Sequence, residues 1–369
     1  MSVDPPLTPL HDLDDAWAEP LPGARATALR RAGAALSERI SSGPRVACVR
    51  AFDVARWAMP VGLALPTATP RLGRQIALTH RTMLVQVLRG GALRTLLFNP
   101  TDPLAARRAP WFDSARGSLA SRLVARAHAP IEEALGALGL SVDDVDFVAF
   151  STLHAQDLRT TLGTADGGVL ARFRRARLLV PRAEWESLAA PHALQRRWLV
   201  PDARDGVPEE KVVLLDGDVS LGDGALLVRT PGHTPGTQTL FVHTGSGVWG
   251  CSANGVAADS WSPLASRIPG VRRAARRAAA EVLPTANTPD QLGAQITSML
   301  LERAIASRVR AAPAFAQLLP SSELTPSVLA PGLRPTWWLG GLEAGVVSRP
   351  ARASKRSTGR ASPPAVQLP

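Results

Sequence analysis

The sequence has no tyrosine, only two lysines and two cysteines, and no long apolar run. Cys48 and Cys251 are too few for a disulfide framework or a thiolate metal cage, and they favour a reducing, cytoplasmic compartment. The N-terminal stretch MSVDPPLTPLHDLDDAW is acidic and lacks the apolar core of a secretory signal. Because no stretch of about 18 residues is wholly apolar, we expect neither a membrane-spanning helix nor a membrane partner.

The composition is that of a folded protein with an excess of arginine. Of the 369 residues, 45% are hydrophobic, which is ample for a buried core and excludes wholesale disorder. We predict an acidic disordered arm over residues 1–22, one folded domain over 23–345 and a basic disordered tail over 346–369. The formal charge is +11. Acidic residues at the start and basic residues at the end offset each other, so the folded body carries this excess.

Apolar periodicity predicts strands followed by helices in each half of the chain. A mixed sheet in each half with helices outside gives an α/β fold, a four-layer αββα sandwich of two mixed β-sheets. The predicted elements include a helix over 24–40, a strand over 45–52, a hairpin over 75–100, a helix over 115–140, strands over 145–153, 225–231 and 280–286, a basic helix over 270–280 and a helix over 289–310.

The most informative segment is Thr230-Pro231-Gly232-His233-Thr234-Pro235-Gly236, which directly follows a predicted strand. Two glycines and two prolines fix a sharp turn, so the imidazole of His233 is held in one direction. A histidine held rigidly at a strand end suits a metal ligand, and a hydrogen-bonded turn histidine is the alternative.

A second polar segment, from Ser151 to Arg159, also follows an apolar strand and contains His154 and Asp157. If the turn runs into a helix, these two side chains can face one point, with the carboxylate near the positive helix end. The alternative is that Asp157 or Ser151 caps the helix and that His154 is a polar loop residue.

Together the two segments resemble the motifs of the metallo-β-lactamase fold superfamily, which are HxHxDH and, some seventy residues later, a sequence close to TPGHTPGH. Here His154 and His233 are 79 residues apart and in the same order. The resemblance implies an αββα sandwich with a site between the sheets at the strand ends, in a family of mostly metal-dependent hydrolases. Thr152, Gln156 and Asp157 stand where the family has His, Asp and His. The family's bridging Asp falls on Asn254, and its final His falls near Asn287.

These replacements remove negative charge from the implied metal site. Gln156 and Asn254 supply oxygen without charge, and two adjacent cations need anionic ligands, so we do not expect a dinuclear centre. A single divalent ion, zinc or iron, held by His154, Asp157 and His233 is the predicted cofactor, and a polar cavity with no metal is the alternative. Asp157 and Asn254 are the predicted catalytic residues.

Two functional hypotheses follow from different classes of protein. The first is a mononuclear metal-dependent hydrolase of a small ester, lactone or thioester, with an anionic substrate favoured by the arginine excess. The second is a catalytically silent protein of this fold that binds a small ligand or a partner protein. A nucleic-acid partner is not favoured, because the basic helix over 270–280 has no interleaved aromatic residues. Asp259 is a spare carboxylate for which a turn cap is the favoured role, and the oligomeric state stays open.

Overall fold

The computed structural model describes residues 7–69, 74–115 and 118–350, and these residues form two mixed β-sheets. The first sheet contains, in spatial order, Thr8–Leu10 (β1), Asp218–Gly222 (β9), Ala225–Arg229 (β10), Gln238–Thr244 (β11), Gly247–Ser252 (β12) and Leu318–Pro320 (β13). The second contains Glu343–Gly345 (β15), Cys48–Pro60 (β2), Gln75–Arg89 (β3), Ala92–Phe98 (β4), Phe147–Ala149 (β6), Arg177–Pro181 (β7) and Val212–Leu215 (β8), with Ser322–Thr325 (β14) pairing to β3 and Arg126–Ala127 (β5) pairing to β2.

Helices connect the strands and cover the sheets. They are Asp14–Ala18 (α1), Pro22–Ser42 (α2), Val61–Ala64 (α3), Pro103–Ala106 (α4), Pro110–Ala115 (α5), Leu119–Val124 (α6), Ile131–Ala137 (α7), Leu158–Leu162 (α8), Arg182–Ser187 (α9), Ala258–Trp261 (α10), Val271–Ala278 (α11) and Leu292–Ile305 (α12). Short 3-10 turns occur at Val142–Asp144, Arg196–Trp198, Glu209–Lys211, Pro263–Ala265 and Pro289–Gln291. In the second sheet β4, β6, β7 and β8 run parallel, which requires crossover connections such as those through α8 and α9.

Clusters of buried side chains define four layers. Successive residues of β11 alternate between them: Leu240 and Val242 join the cluster between the two sheets, and Phe241 joins the cluster beneath α2 and α12. A third cluster packs Leu135 of α7 and Leu162 of α8 on the outer face of the second sheet. The order helix, sheet, sheet, helix confirms the predicted four-layer αββα sandwich.

The predicted hairpin over 75–100 is confirmed by the register of β3 and β4. Its turn residues Gly90 and Gly91 both have positive φ, 56° and 75°, as the tight turn between twisted strands requires. The segment 115–140 is not one helix but α6, β5 and α7, since Pro130 stands at the start of the last helix. The prediction of a strand over 280–286 is wrong, because this segment forms an irregular connection.

The predicted disordered arm requires correction. Within residues 7–22, β1 pairs with β9 and Leu13 is fully buried. The acidic side chains that suggested a loose arm are on the outside, where Asp14 forms an ion pair with Arg229 at 2.6 Å. Apolar residues between these acids therefore anchor the segment to the domain. Residues 1–6 lie outside the described residues.

The predicted boundary at residue 345 also requires correction. The backbone of Ser348 exchanges two hydrogen bonds with the side chain of Gln86, and Val347 packs against the outer cluster of the second sheet. The folded domain therefore continues beyond residue 345. The remainder of the predicted tail, residues 351–369, lies outside the described residues. No helix in the described part of the chain is long and apolar enough to cross a bilayer.

Candidate functional site

The two motif loops meet at one end of the sandwich. His154 lies in the loop after β6, and His233 lies in the loop after β10, so each sheet contributes one histidine. The centroids of the two imidazole rings are 4.9 Å apart, and the rings meet edge to face. The amide of Gln238 donates to the carbonyl of Ser151 at 3.0 Å, which joins the start of β11 to the first loop. The structure thus brings together the two histidines that the sequence singled out.

A buried carboxylate, Glu184 of α9, ties the two loops to each other. It accepts hydrogen bonds of 2.6 Å from the amide of Leu153 in the first loop and from the hydroxyl of Thr234 in the second. Burial raises the pKa of Glu184, and its hydrogen bonds with Thr234, Leu153 and Gly236 oppose that rise. No motif in the sequence indicates this role. The only signal was an acidic residue at the start of a short helix that directly follows a buried strand.

Both glycines of TPGHTPG are explained by close packing. A Cβ atom on Gly232 would meet the side chain of Asn254 and the backbone of Gln295, each at 2.6 Å. A Cβ atom on Gly236 would collide with the backbone of Glu184. The loop therefore depends on glycine for the close approach of its neighbours rather than for an unusual backbone angle.

His154 is held in one orientation by a chain of hydrogen bonds that ends at a carboxylate. Its Nε2 lies 2.7 Å from Oε1 of Gln195, and the Gln195 amide nitrogen donates to both carboxylate oxygens of Asp290 at 3.0 and 3.2 Å. Because Asp290 accepts from the amide group, the Gln195 oxygen faces the imidazole, and Nε2 is the protonated nitrogen. The other ring nitrogen, Nδ1, keeps its lone pair, and it is buried without a partner.

His233 is fixed through its backbone and its ring. Oδ1 of Asn254 accepts from the backbone amide of His233 at 3.0 Å, and the ring Nε2 lies 3.2 Å from Nδ2 of Asn287. Burial lowers the pKa of His154 to about 4 and holds the pKa of His233 well below its usual range. Both imidazoles are therefore neutral at physiological pH. Nδ1 of His233 and Oδ1 of Asn287 are buried without partners.

Asp157 has a different environment from the one that the metal prediction requires. It is the N-cap of α8 and accepts from the backbone amide of Arg159 at 3.2 Å. Its carboxylate also forms ion pairs with Arg108 and, at 3.0 Å, with Arg159. The helix cap that the sequence left open as the alternative is the observed role. Among the described residues, no three His, Cys, Asp or Glu side chains form a group that could hold a metal ion.

Asn254 and Asp259 also make structural contacts. Asn254 is fully buried and donates to Glu302 at 2.8 Å and to the carbonyl of Thr230 at 3.1 Å, so it positions the second loop. Asp259 accepts from Ser266 at 2.5 Å and from the backbone amide of Thr336 at 2.9 Å, joining two distant loops. Neither residue lines the cavity beside the histidines. A catalytic role for Asn254 stays a prediction.

The two histidines line a cavity of about 110 Å³. Its polar residues are His80, Asn99, Thr101, Ser151, Thr152, His154, Gln156, His233, Thr285, Asn287, Ser321 and Ser322, and its apolar residues include Trp57, Phe112 and Trp198. This lining contains no carboxylate, thiol, lysine or arginine among the described residues. His80 was not among the sequence candidates, and both of its nitrogens are bonded, to Ser322 at 3.0 Å and Thr101 at 2.9 Å.

The donor groups of this cavity do not fit a two-metal centre. Two adjacent divalent cations need anionic ligands, and the cavity offers only neutral imidazole, amide and hydroxyl groups. A single ion that also used Asp157 would have to draw that carboxylate away from Arg108 and Arg159. The ligand set His154, Asp157 and His233 is therefore not assembled in this structure and stays a prediction.

The known proteins that are similar to this chain are described as lactonases or hydrolases. No family model matches the chain. A stretch of 107 residues is 28% identical to N-acyl homoserine lactonase AiiA of Bacillus thuringiensis subsp. kurstaki, and it covers 29% of this chain and 36% of that relative. The match thus spans little more than a third of the relative's own length.

Two solved structures extend the likeness over more of the chain. A probable metal-dependent hydrolase from Staphylococcus aureus superposes with a TM-score of 0.49 at 14% identity, over 69% of this chain and 84% of that one. AidC, a dizinc quorum-quenching lactonase, superposes with a TM-score of 0.47 at 12% identity, over 81% of this chain and 94% of that one. The chain is similar to hydrolases of the metallo-β-lactamase superfamily. The fold itself is defined by the two sheets and four layers of this chain.

Proposed function

We propose that the chain binds a small, uncharged and partly apolar molecule in the cavity, and that it does so without a divalent metal ion. One observation carries this proposal, namely that, in the described part of the chain, no charged side chain lines a cavity whose walls combine aromatic rings with hydroxyl, amide and imidazole groups. A charged head group would be desolvated there without a counter-ion, which is costly. An uncharged molecule with hydrogen-bonding groups meets no such penalty.

The size of the cavity limits the group that it can hold. A cavity of about 110 Å³ is somewhat smaller than the roughly 150 Å³ apolar cavity that accommodates benzene. We therefore expect one ring or a short branched chain of about six heavy atoms to be enclosed, with any longer part of the molecule outside. Trp57 and Trp198 supply the apolar walls against which a flat group packs.

The buried polar atoms support the same proposal. Nδ1 of His154 and Oδ1 of Asn287 have no hydrogen-bond partner among the described residues, and an unsatisfied buried polar group costs about 1–3 kcal/mol. A ligand group or water that supplies the missing partner recovers this free energy. The chain from Asp290 through Gln195 to His154 fixes which ring nitrogen is the acceptor, so a ligand with an N–H or O–H group is preferred.

The binding proposal is tested with 3-phenylpropanamide as the probe and isothermal titration in buffer containing EDTA. We expect saturable binding at millimolar or lower concentration that is abolished by Ala253→Leu, which adds three carbon atoms to the cavity wall. The matched control Ala183→Leu changes an exposed position on α9 and leaves binding unaltered. Binding that Ala253→Leu does not weaken contradicts the proposal.

A metal-dependent hydrolase is the second candidate, favoured by two buried imidazole rings whose centroids lie 4.9 Å apart and by the unpartnered Nδ1 acceptor of His154 among the described residues. Such an enzyme would act on an ester, lactone or thioester, and the similar proteins named above include homoserine lactonases. Protein purified without chelator is analysed for metal and assayed with N-hexanoyl-L-homoserine lactone after addition of zinc, iron or manganese. Metal near one equivalent together with lactone opening favours the hydrolase. Less than about a tenth of an equivalent and recovery of intact lactone exclude it.

A further inference from the structure

A second pocket, of about 270 Å³, lies beside the cavity and is rich in arginine. We call it the arginine pocket, and its charged residues are Arg56, Arg107, Arg122 and Arg126. Alanines, a proline, a serine and two aromatic rings complete the lining, which contains no carboxylate among the described residues. Four positive charges, three of them on exposed side chains, therefore line a space whose described walls carry no negative charge.

The sheet forces two of these charges together. Arg56 on β2 and Arg126 on β5 are direct partners across an antiparallel ladder. Like charges in such a position destabilise a strand pair unless another group neutralises them. In the described part of the chain, none of the four arginines forms an ion pair with a carboxylate. Solvent screens part of this repulsion because Arg126 is exposed, and an anion bound between the two residues would offset the rest.

Arg56 has a specific unfilled hydrogen-bonding position. Its Nη2 donates to the carbonyl of Pro326 at 2.5 Å, while its Nε is buried without a partner. Burial and the charge of Arg126 lower the pKa of Arg56, and Asp53 opposes this effect. Asp53 is itself bound by Arg81 at 3.1 Å. Among the described residues, Asp53 therefore offsets the charge of Arg56 only in part, and no carboxylate forms an ion pair with it.

The arginine pocket and the cavity share a wall. Trp57 and Phe112 line both spaces, and their ring centroids are 5.2 Å apart in an edge-to-face contact. A molecule that occupies both spaces would have to pass along these two side chains. The uncharged cavity and the positively charged pocket provide different environments for the two ends of one molecule.

We propose that the arginine pocket binds the anionic group, a carboxylate or phosphate, of an elongated ligand whose uncharged head occupies the cavity. This inference rests on the proposed function, because it requires the cavity to be the site of the head group. Guanidinium groups bind carboxylates and phosphates through paired N–H donors, which gives both charge compensation and orientation. The ligand class is accordingly a small amphipathic acid with a ring or a short branched head.

The probes are 3-phenylpropanoate, 4-phenylbutanoate and 5-phenylpentanoate, each compared with its uncharged primary amide by isothermal titration on the full chain. We expect at least one carboxylate to bind about tenfold more tightly than its amide. The preference shrinks as salt is raised, because exposed charges are screened. The dependence on chain length reports the separation of the two binding regions.

Paired variants assign this preference to the arginine pocket. The double variant Arg122→Gln, Arg126→Gln should lose the preference for the carboxylate while its affinity for the amide stays within twofold of the wild type. The control Arg273→Gln, Arg277→Gln removes the same charge from exposed positions of α11 and should keep the preference. Because Arg126→Gln also relieves the repulsion with Arg56, the melting temperature of the double variant should not fall.

The outcomes separate the inference from the proposed function. Equal affinity for carboxylate and amide at every chain length overturns the inference and leaves the proposed function intact. Carboxylate binding that persists in Ala253→Leu also overturns it, since the anion would then bind independently of the cavity. If the wild type binds neither amide nor carboxylate, the proposed function fails and the inference fails with it.

Discussion

Removal of the Glu184 carboxylate provides a quantitative test of how the site is held together. In Glu184→Ala the backbone amides of Leu153 and Gly236 lose their acceptor inside the protein. The hydroxyl of Thr234 keeps a partner, because it also lies 3.0 Å from the hydroxyl of Thr237. Two unsatisfied buried amides at roughly 1–3 kcal/mol each, less the relief of removing a buried carboxylate, give a loss of about 3 kcal/mol in the free energy of unfolding.

The measurement is urea unfolding at pH 7, followed by tryptophan fluorescence. Glu184→Gln keeps the side-chain volume and one acceptor oxygen, so we expect it to lose about half as much stability. Glu186→Ala is the matched control, since Glu186 is exposed on the same helix, and it should change stability by no more than about 0.5 kcal/mol. Both Glu184 variants should also bind the cavity probe less tightly, because the two loops are no longer tied. A loss below about 1 kcal/mol for Glu184→Ala would refute this reasoning.

Two further predictions concern the loss of stability at acidic pH and the close packing of the backbone around Gly236. Burial lowers the pKa of His80 from 6.5 to about 4, so the unfolded chain takes up a proton first and stability falls as pH drops from 6.5 towards 4. Between pH 7.5 and pH 5 the free energy of unfolding of His80→Gln should therefore fall by about 2 kcal/mol less than that of the wild type, as measured by urea unfolding. Equal falls in the two proteins would contradict a lowered pKa of His80. Gly236→Ala should lower the free energy of unfolding by about 1–3 kcal/mol in the same assay, because the new Cβ atom would collide with the backbone of Glu184. Gly293→Ala on α12, which has open space around it, should be neutral or stabilising.

The fold could be predicted because its determinants are local patterns. Alternating apolar residues and glycine turns specify β3, β4 and β10, which the sequence alone predicts. The N-terminal strand β1 was missed because it has three residues and lies among prolines and acids. Its stability comes from pairing with β9, which is more than 200 positions away in the chain. Such pairing leaves no periodic signal in the sequence.

The site was only partly predictable for a similar reason. The glycines and prolines around His233 predict a sharp turn from the sequence alone. His154 directly follows the apolar strand β6, which the sequence also predicts. Asp157 was predicted to face the metal site beside His154, on the assumption that the loop after the strand runs directly into a helix. In the structure its carboxylate caps α8 and binds Arg108, a residue 49 positions earlier. Long-range ion pairs of this kind decide where a carboxylate lies, and spacing alone does not reveal them.

The distribution of charge around the cavity gives the arginine excess a physical meaning. A chain that carried +11 only through a compositional bias towards arginine would place its arginines on solvated faces, where they repel one another weakly. Arg126 is exposed, but the half-buried Arg56 stands opposite it on the paired strand, beside a cavity with no charged side chain among its described lining residues. Because that arrangement costs stability in the free protein, the anion proposed for the arginine pocket would offset it. In the proposed complex the charge of the ligand lies on the other side of Trp57 and Phe112, so the cavity that holds its head needs no charged side chain.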